Sequence, residues 1–351
     1  MFFASDNAAG IAPEILAAIA RADDGKVLSY GRDPWTARIE RRFAEVFERE
    51  VAVFLVATGT AANALALANF TPPWGAVLCH AEAHIAMDEC GAPEFYGGGL
   101  KLLGLTGEAG KIAPATLKRA LDQGQWGGPH HVVPTVLSLS QSTESGTIYR
   151  ADEIRTLADL AHGRGLVVHV DGARLANALA RMNVSLAEAT WRAGVDVLSF
   201  GATKGGALGA EAIVFFDKAR VANMPERRKR GGHLISKHRF IAAQFEAYLA
   251  DGLWLKLARH ANAMADRLAT GLAAAGLAPV WPVEANEVFV ALPGAIDARL
   301  KAAGASYYPW NTQALPNGMS LPHDGALVRL VTSFATTADE VDRFVAAARA
   351  S

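Results

Sequence analysis

From about residue 50 to residue 216 the chain alternates short apolar runs with longer segments whose apolar positions recur at helical spacing. That alternation is the pattern of βαβ units in a mostly parallel, doubly wound sheet. Strands are expected at residues 51–56, 76–80, 100–106, 135–141, 166–171 and 195–200, with helices between them at 60–69, 151–164 and 185–193. A further run at 210–216 follows the sixth strand after only a glycine-rich turn, so it is expected as an antiparallel strand at a sheet edge. From 240 to 275 helical periodicity continues, alanine and leucine on one face and arginine and aspartate on the other. Beyond it come a strand at 287–292, a helix at 296–303, a loop rich in Pro, Asn and Gly at 309–324, a strand at 327–331 and a helix at 338–350. The expected architecture is α/β, with a large domain over residues 1–255 and a small α+β C-terminal domain over 256–351.

Composition narrows the partners more than the fold. Lysine plus arginine (34) balances aspartate plus glutamate (35) in 351 residues, so no field of either sign points to nucleic acid or an anionic membrane. A small-molecule partner is expected. The opening "MFFASDNAAGIAPE" carries neither a positive leader nor a long apolar segment, and no charge-free run reaches membrane-spanning length. Cys79 and Cys90 are too few for a disulfide framework, and a cytoplasmic location is expected.

In an open α/β sheet ligands bind beyond the carboxyl ends of the strands, and four stretches stand there. In "VFLVATGTAANALAL" a strand enters a helix through small residues. The first-turn amides of residues 59–62 with the Thr60 hydroxyl suit an anion, or Thr58 or Thr60 simply caps the helix. In "GLVVHVDGARLANAL" Asp171 ends a buried strand; it faces a cationic ligand, or caps the following helix, or pairs with Arg174 three residues on, while His169 reads as a satisfied core histidine. In "VDVLSFGATKGG" Lys204 follows a buried strand among small residues, either a solvated loop charge or an enclosed nucleophilic amine. In "CHAEAHIAMDECGAPE" His80, His84, Asp88, Glu89 and Cys90 cluster, but no HExxH or finger spacing occurs, so no metal is expected. A phosphate cradle, an acid and a lysine, in that order at successive strand ends, are the three contacts of pyridoxal 5'-phosphate: phosphate at the helix terminus, ring nitrogen on the acid, Schiff base on the lysine. The missing glycine fingerprint argues against a dinucleotide.

The chain also resembles the fold-type-I pyridoxal-phosphate enzymes, aminotransferase-like in fold, and within them the L-threonine aldolase group of the β-eliminating lyase superfamily. The resemblance rests on "SDNAAG", "SYGRDPWTARIERRFAEVFE", "ATGTAAN", "HAEAHIAMDECGAPE", "HVDGARLANAL", "SFGATKGG" and "VRLVTSFATT", and spans nearly the whole chain. It implies Lys204 as the Schiff-base lysine, Asp171 on the pyridinium, Gly59 and Thr60 on the phosphate and His84 stacked on the ring. Ser5, Arg174 and Arg329 are implied for the substrate carboxylate, and Tyr30 is placed on the substrate side or in packing. It further implies a homo-oligomer, dimer or homotetramer, with sites between subunits and a basic stretch such as 227–239 reaching a neighbour. The implied reaction cleaves L-threonine, L-allo-threonine or phenylserine to glycine and an aldehyde. The base is open between His84, a water ordered by it and another residue. Aminotransfer, β-elimination, serine hydroxymethyl transfer and a non-catalytic cofactor-binding protein are the alternatives.

Overall fold

The computed structural model describes residues 1–221, 223–311, 315–316 and 318–349. In chain order the strands are β1 (Ala52–Val56), β2 (Gly75–His80), β3 (Lys101–Leu105), the short hairpin β4 (Gly107–Glu108) and β5 (Lys111–Ile112), β6 (Val133–Ser140), β7 (Val167–Gly172), β8 (Val197–Gly201), β9 (Glu211–Phe215), β10 (Glu287–Leu292), β11 (Tyr308–Pro309) and β12 (Ala326–Val331). Seven of them form one sheet in the order β1-β9-β8-β7-β6-β2-β3. β9 alone among them runs antiparallel to its neighbours. The expected doubly wound α/β sheet is therefore present.

Both faces of its centre are covered, which is why the strands read as continuous apolar runs. Along β8 and β9, Leu198, Phe200, Ala212 and Val214 enter one core with Phe43, Phe47 and Phe245. Val197, Ile213 and Phe215 enter another with Ala61, Ala62 and Leu65 of the helix Gly59–Phe70. Two-residue alternation sends neighbours to opposite faces. The expectation of an edge at 210–216 fails for the same reason. β9 is antiparallel but lies inside the sheet, with β1 on its outer side from Ala52↔Phe215 to Val56↔Glu211. Every residue of β9 is buried, and an edge position would leave its ladder unpaired.

The helix expected over 240–275 is two: Arg239–Tyr248 and Leu253–Ala273. Asp251 and Gly252, at φ +50° and +70°, turn the chain through left-handed backbone between them. The helix expected at 185–193 is likewise split, into Leu186–Ala189 and a 3-10 turn at Trp191–Ala193. Leu253–Ala273 serves two cores, giving Leu253, Trp254 and Ala258 to the first and Ala265, Leu268 and Leu272 to a second built on β10-β12-β11. Phe3 joins that second core, its amide donating to Ser306 O and its carbonyl accepting from Val331 N, both at 2.8 Å. Of the loop expected at 309–324, residues 312–314 and 317 lie outside the described residues, as does Ala350 at the end of the helix Ala338–Arg349. Among the described residues no helix is long and apolar enough to cross a membrane.

Phe43 is fully buried and packs edge-on against Phe200 and Phe245 at centroid distances of 6.0 and 5.3 Å. Phe43→Ala is expected to lower unfolding stability by about 3–5 kcal/mol, read by urea denaturation; a loss under about 1 kcal/mol contradicts this placement of the core.

Candidate active site

At the carboxyl ends of the parallel strands opens a cleft of about 390 Å³, a size suited to a small organic ligand. Of the residues that the resemblance assigns to cofactor or substrate, six line it: Gly59, Thr60, His84, Asp171, Arg174 and Lys204.

The first turn of the helix Gly59–Phe70 is a capped terminus, and the cap decides which amides are left for the expected cradle. Thr58 is the cap, its side-chain oxygen accepting from Ala61 N (3.2 Å) and its carbonyl from Ala62 N (3.1 Å). Those two amides, part of the expected anion cradle, are thus taken, and Gly59 and Thr60 keep the unbonded first amides that every helix leaves at its start. One turn on, Asn63 Nδ2 donates to Asp171 Oδ2 (2.7 Å) and to Glu89 Oε1 (2.8 Å). Ala173 N donates to the other Asp171 oxygen (3.0 Å). Glu89 in turn meets His84 Nδ1 at 2.9 Å. That contact holds the imidazole above its ordinary pKa against the effect of burial, whereas burial raises Glu89. His84, Glu89 and Asp171 place a ligand atom each within 4.8 Å of one another, and the Asn63 amide bridges the two carboxylates. Below them His169 is bonded on both ring nitrogens, to Ser138 (2.8 Å) and Ser199 (3.0 Å), and burial lowers it to about 4. It is a neutral core histidine.

Lys204 sits in a turn that cannot move freely. Ala202 N and Ala210 O (3.1 Å) close its base, and Gln244 Oε1 accepts from Leu208 N and Gly209 N (2.9 and 3.1 Å). The two glycines after the lysine have separate reasons. A Cβ on Gly205 would run into the Tyr248 hydroxyl, and Gly206 has φ +114°, a conformation glycine alone takes without strain.

Arg174, expected near Asp171 or a ligand carboxylate, has protein partners. Its Nε and Nη2 donate to Asp6 (2.7 and 3.0 Å), and its Nη1 lies 3.3 Å from Glu287 Oε1. Burial would raise the Asp6 carboxyl, but Arg174, Lys204 and Asn286 bring it down to about 2. Arg329 and Ser5 do not line the cleft. Arg329 approaches the same Glu287 oxygen at 3.6 Å and stacks on Trp310 at 4.3 Å, and among the described residues its buried Nε has no partner. Ser5 caps the 3-10 turn Asp6–Ala8, its side chain accepting from Asn7 N (3.1 Å), and its neighbour Asn7 reaches the cleft instead. Tyr30 is apart from it, 44% exposed, under Lys229 at 4.9 Å.

A family model described as beta-eliminating lyase matches residues 3–294. The chain belongs to the beta-eliminating lyase family. Within the reach of this lyase family it is similar to the low-specificity L-threonine aldolase of Pseudomonas aeruginosa, 44% identical over 307 residues, 87% of this chain and 88% of that one. The solved threonine aldolase of Leishmania major superposes with a TM-score of 0.91 at 31% identity, over 99% of this chain and 98% of that one. A serine palmitoyltransferase of Sphingomonas wittichii, 14% identical, shares the fold alone at a TM-score of 0.71, over 99% of this chain and 86% of that one. The fold of this lyase is the fold-type-I one.

The sequence reading missed five acids and amides of the site: Asp6, Asn63, Glu144, Glu211 and Glu287. Asn63 carried a signal, as a polar residue on a helix buried from Ala61 to Ala68. Glu211, buried beside Lys204, opens a wholly apolar strand. Burial lifts its carboxyl to about 7, against the pull of Thr203 and Lys204. A carboxyl whose folded value lies above its unfolded one binds more protons folded, so it costs stability as the pH rises from about 4.5 through 7. Glu211→Gln is expected to flatten that decline, read as a smaller difference in urea midpoint between about pH 5 and pH 8 than wild type shows. An unchanged difference contradicts the assignment.

Proposed function

We propose that this chain is a pyridoxal-phosphate-dependent aldolase that cleaves the Cα–Cβ bond of β-hydroxy-α-amino acids, L-threonine, L-allo-threonine or phenylserine, to glycine and an aldehyde. The observation that carries the reading is the meeting of Lys204, Asp171 and the Gly59–Thr60 amides in one cleft, in a chain 44% identical to a low-specificity L-threonine aldolase. The donor set fits the cofactor: a primary amine, a carboxylate held by Asn63 and Ala173, and unbonded amides at a helix start. Bound there, pyridoxal phosphate supplies an electron sink for the pair released when the Cα–Cβ bond breaks.

The chain's own residues do the rest. Lys204 would hold the cofactor through its amine. Asp171 would keep a proton on the ring nitrogen, and Gly59 and Thr60 would bind the phosphate. His84, fixed through Nδ1 by Glu89, would stack on the ring. Ser5, Arg174 and Arg329 would hold the substrate carboxylate. Glu287 lies between the two arginines and keeps both guanidinium groups aimed at one place before substrate arrives. Fixing the carboxylate orients the scissile bond and converts binding energy into rate.

Tyr30 and the stretch 227–239 point to a neighbouring copy. Tyr30 is exposed away from its own cleft, and among the described residues the buried Nε atoms of Arg227 and Arg228 lack partners. We place them at the cleft of an adjacent subunit in a cytoplasmic homo-oligomer, a dimer or homotetramer. The division into domains at 1–255 and 256–351 goes with this reading, the helix Leu253–Ala273 being shared by both cores.

Purified protein given L-threonine, L-allo-threonine or phenylserine is expected to release aldehyde and glycine without keto acid or folate, which separates this reaction from aminotransfer, β-elimination and serine hydroxymethyl transfer. Lys204→Ala is expected to lower the rate about a thousandfold or more; activity near wild type contradicts the proposal. Arg329→Leu, which removes a charge-assisted contact to the substrate, is expected to raise KM by roughly 10–100-fold, read in steady-state kinetics. An unchanged KM removes Arg329 from the substrate site.

A further inference from the structure

Across residues 141–149 every position but one is buried. The segment is tied down throughout. Gln141 N donates to Asp171 O (2.7 Å), which fixes the segment to the strand carrying the acid. The Gln141 side chain exchanges bonds with the Tyr149 backbone (2.7 and 2.9 Å). Thr143 N donates to Thr147 O (2.8 Å), and both threonine hydroxyls reach Ala109 O (3.1 and 2.7 Å). The exception is Glu144. It lines the cleft, and among the described residues its carboxylate has no hydrogen bond or ion pair. Even a half-buried carboxylate is costly without partners, so a segment fixed by this many bonds around one unpartnered acid presents that acid to something that enters the cleft.

We infer that Glu144 is the base that takes the β-hydroxyl proton of the bound amino acid. This rests on the aldol cleavage proposed above. As the O–H bond breaks its proton passes to a Glu144 oxygen, and the pair left on the substrate oxygen forms the aldehyde C=O. The Cα–Cβ bond breaks with its pair remaining on the Cα fragment. The aldehyde departs, and a proton returned to Cα through water completes glycine, so the count closes without another reactant. His84 is less suited to the task, because its bond to Glu89 favours the charged imidazolium, an acid rather than a base. The groups facing Glu144 come from several elements. Burial lifts its carboxyl to about 7, His84 and Lys204 draw it down, and Glu287 and Asp171 push it up, while Arg174 also feels its charge. A base near neutrality is matched to proton transfer at working pH.

The test is Glu144→Gln in the holoenzyme, with Glu144→Asp beside it. For Glu144→Gln, kcat on L-threonine is expected to fall at least about a hundredfold with KM within about threefold, and the acidic limb of the kcat/KM profile to disappear. The aspartate variant is expected to recover part of the rate. Two readouts need no β-hydroxyl base and stay within about twofold of wild type: the visible absorption of bound cofactor, and deuterium exchange at the α-carbon of glycine. An NMR titration of the full-length chain is expected to show the His84 midpoint falling once the neighbouring negative charge is gone. A kcat within about threefold of wild type, a loss of glycine exchange in step with cleavage, or an unmoved His84 midpoint overturns the assignment. A wild-type protein that exchanges glycine hydrogens yet releases no aldehyde from any β-hydroxy amino acid defeats the aldol reading itself, and this inference with it.

Discussion

The hydrogen bond from Asn63 Nδ2 to Asp171 Oδ2, 2.7 Å long, joins the two elements on which the cleft is built. Asn63 belongs to the helix whose first turn carries the proposed anion cradle, and Asp171 is the last residue but one of β7, the middle strand of the sheet. The same amide donates to Glu89, and Glu89 holds His84. One buried side chain thus sets the distance between the cradle, the acid and the imidazole. It is also what permits Asp171 and Glu89 to lie close together. Two carboxylates out of water repel each other, and a shared amide with an imidazole on the far side offsets that repulsion. A buried polar network of this kind is stable only when its members are satisfied, and here the bonds that satisfy it also aim it.

A second balance of charge governs the other wall. Asp6 and Glu287 meet Arg174, and Glu287 approaches Arg329. Two arginines and two acids compensate each other before any ligand enters, which lets guanidinium groups remain charged under cover. Because Asp6 comes from the N-terminal segment and Glu287 from β10, this wall forms only when the chain's two ends fold back on the large sheet. The pairing of Phe3 with Ser306 and Val331 anchors that return.

Most of the large sheet was legible because strands covered on both faces read as apolar runs, and the sequence has seven such runs. What misled was local. The run at 210–216 looks like the second arm of a hairpin, and its position inside the sheet follows from β1, some 150 residues earlier, taking its outer side. The break at Asp251–Gly252 was hidden because both flanking helices keep their apolar periodicity across it. In the site, Lys204, Asp171 and the Gly59–Thr60 turn were legible since each ends or follows a strand. Asp6, Glu144, Glu211 and Glu287 were not, because a lone acid carries no mark of burial; only the fold shows that Glu144 stands unpartnered among the described residues and that Arg174 finds Asp6 from 168 positions away.

The central claim is that Lys204 is the amine that holds the cofactor. Its most direct test is borohydride reduction of the protein loaded with pyridoxal phosphate, followed by peptide mapping by mass spectrometry. The account predicts one reduced cofactor per chain, on the peptide carrying Lys204. Label on another lysine, or none above that of a denatured control, would contradict it.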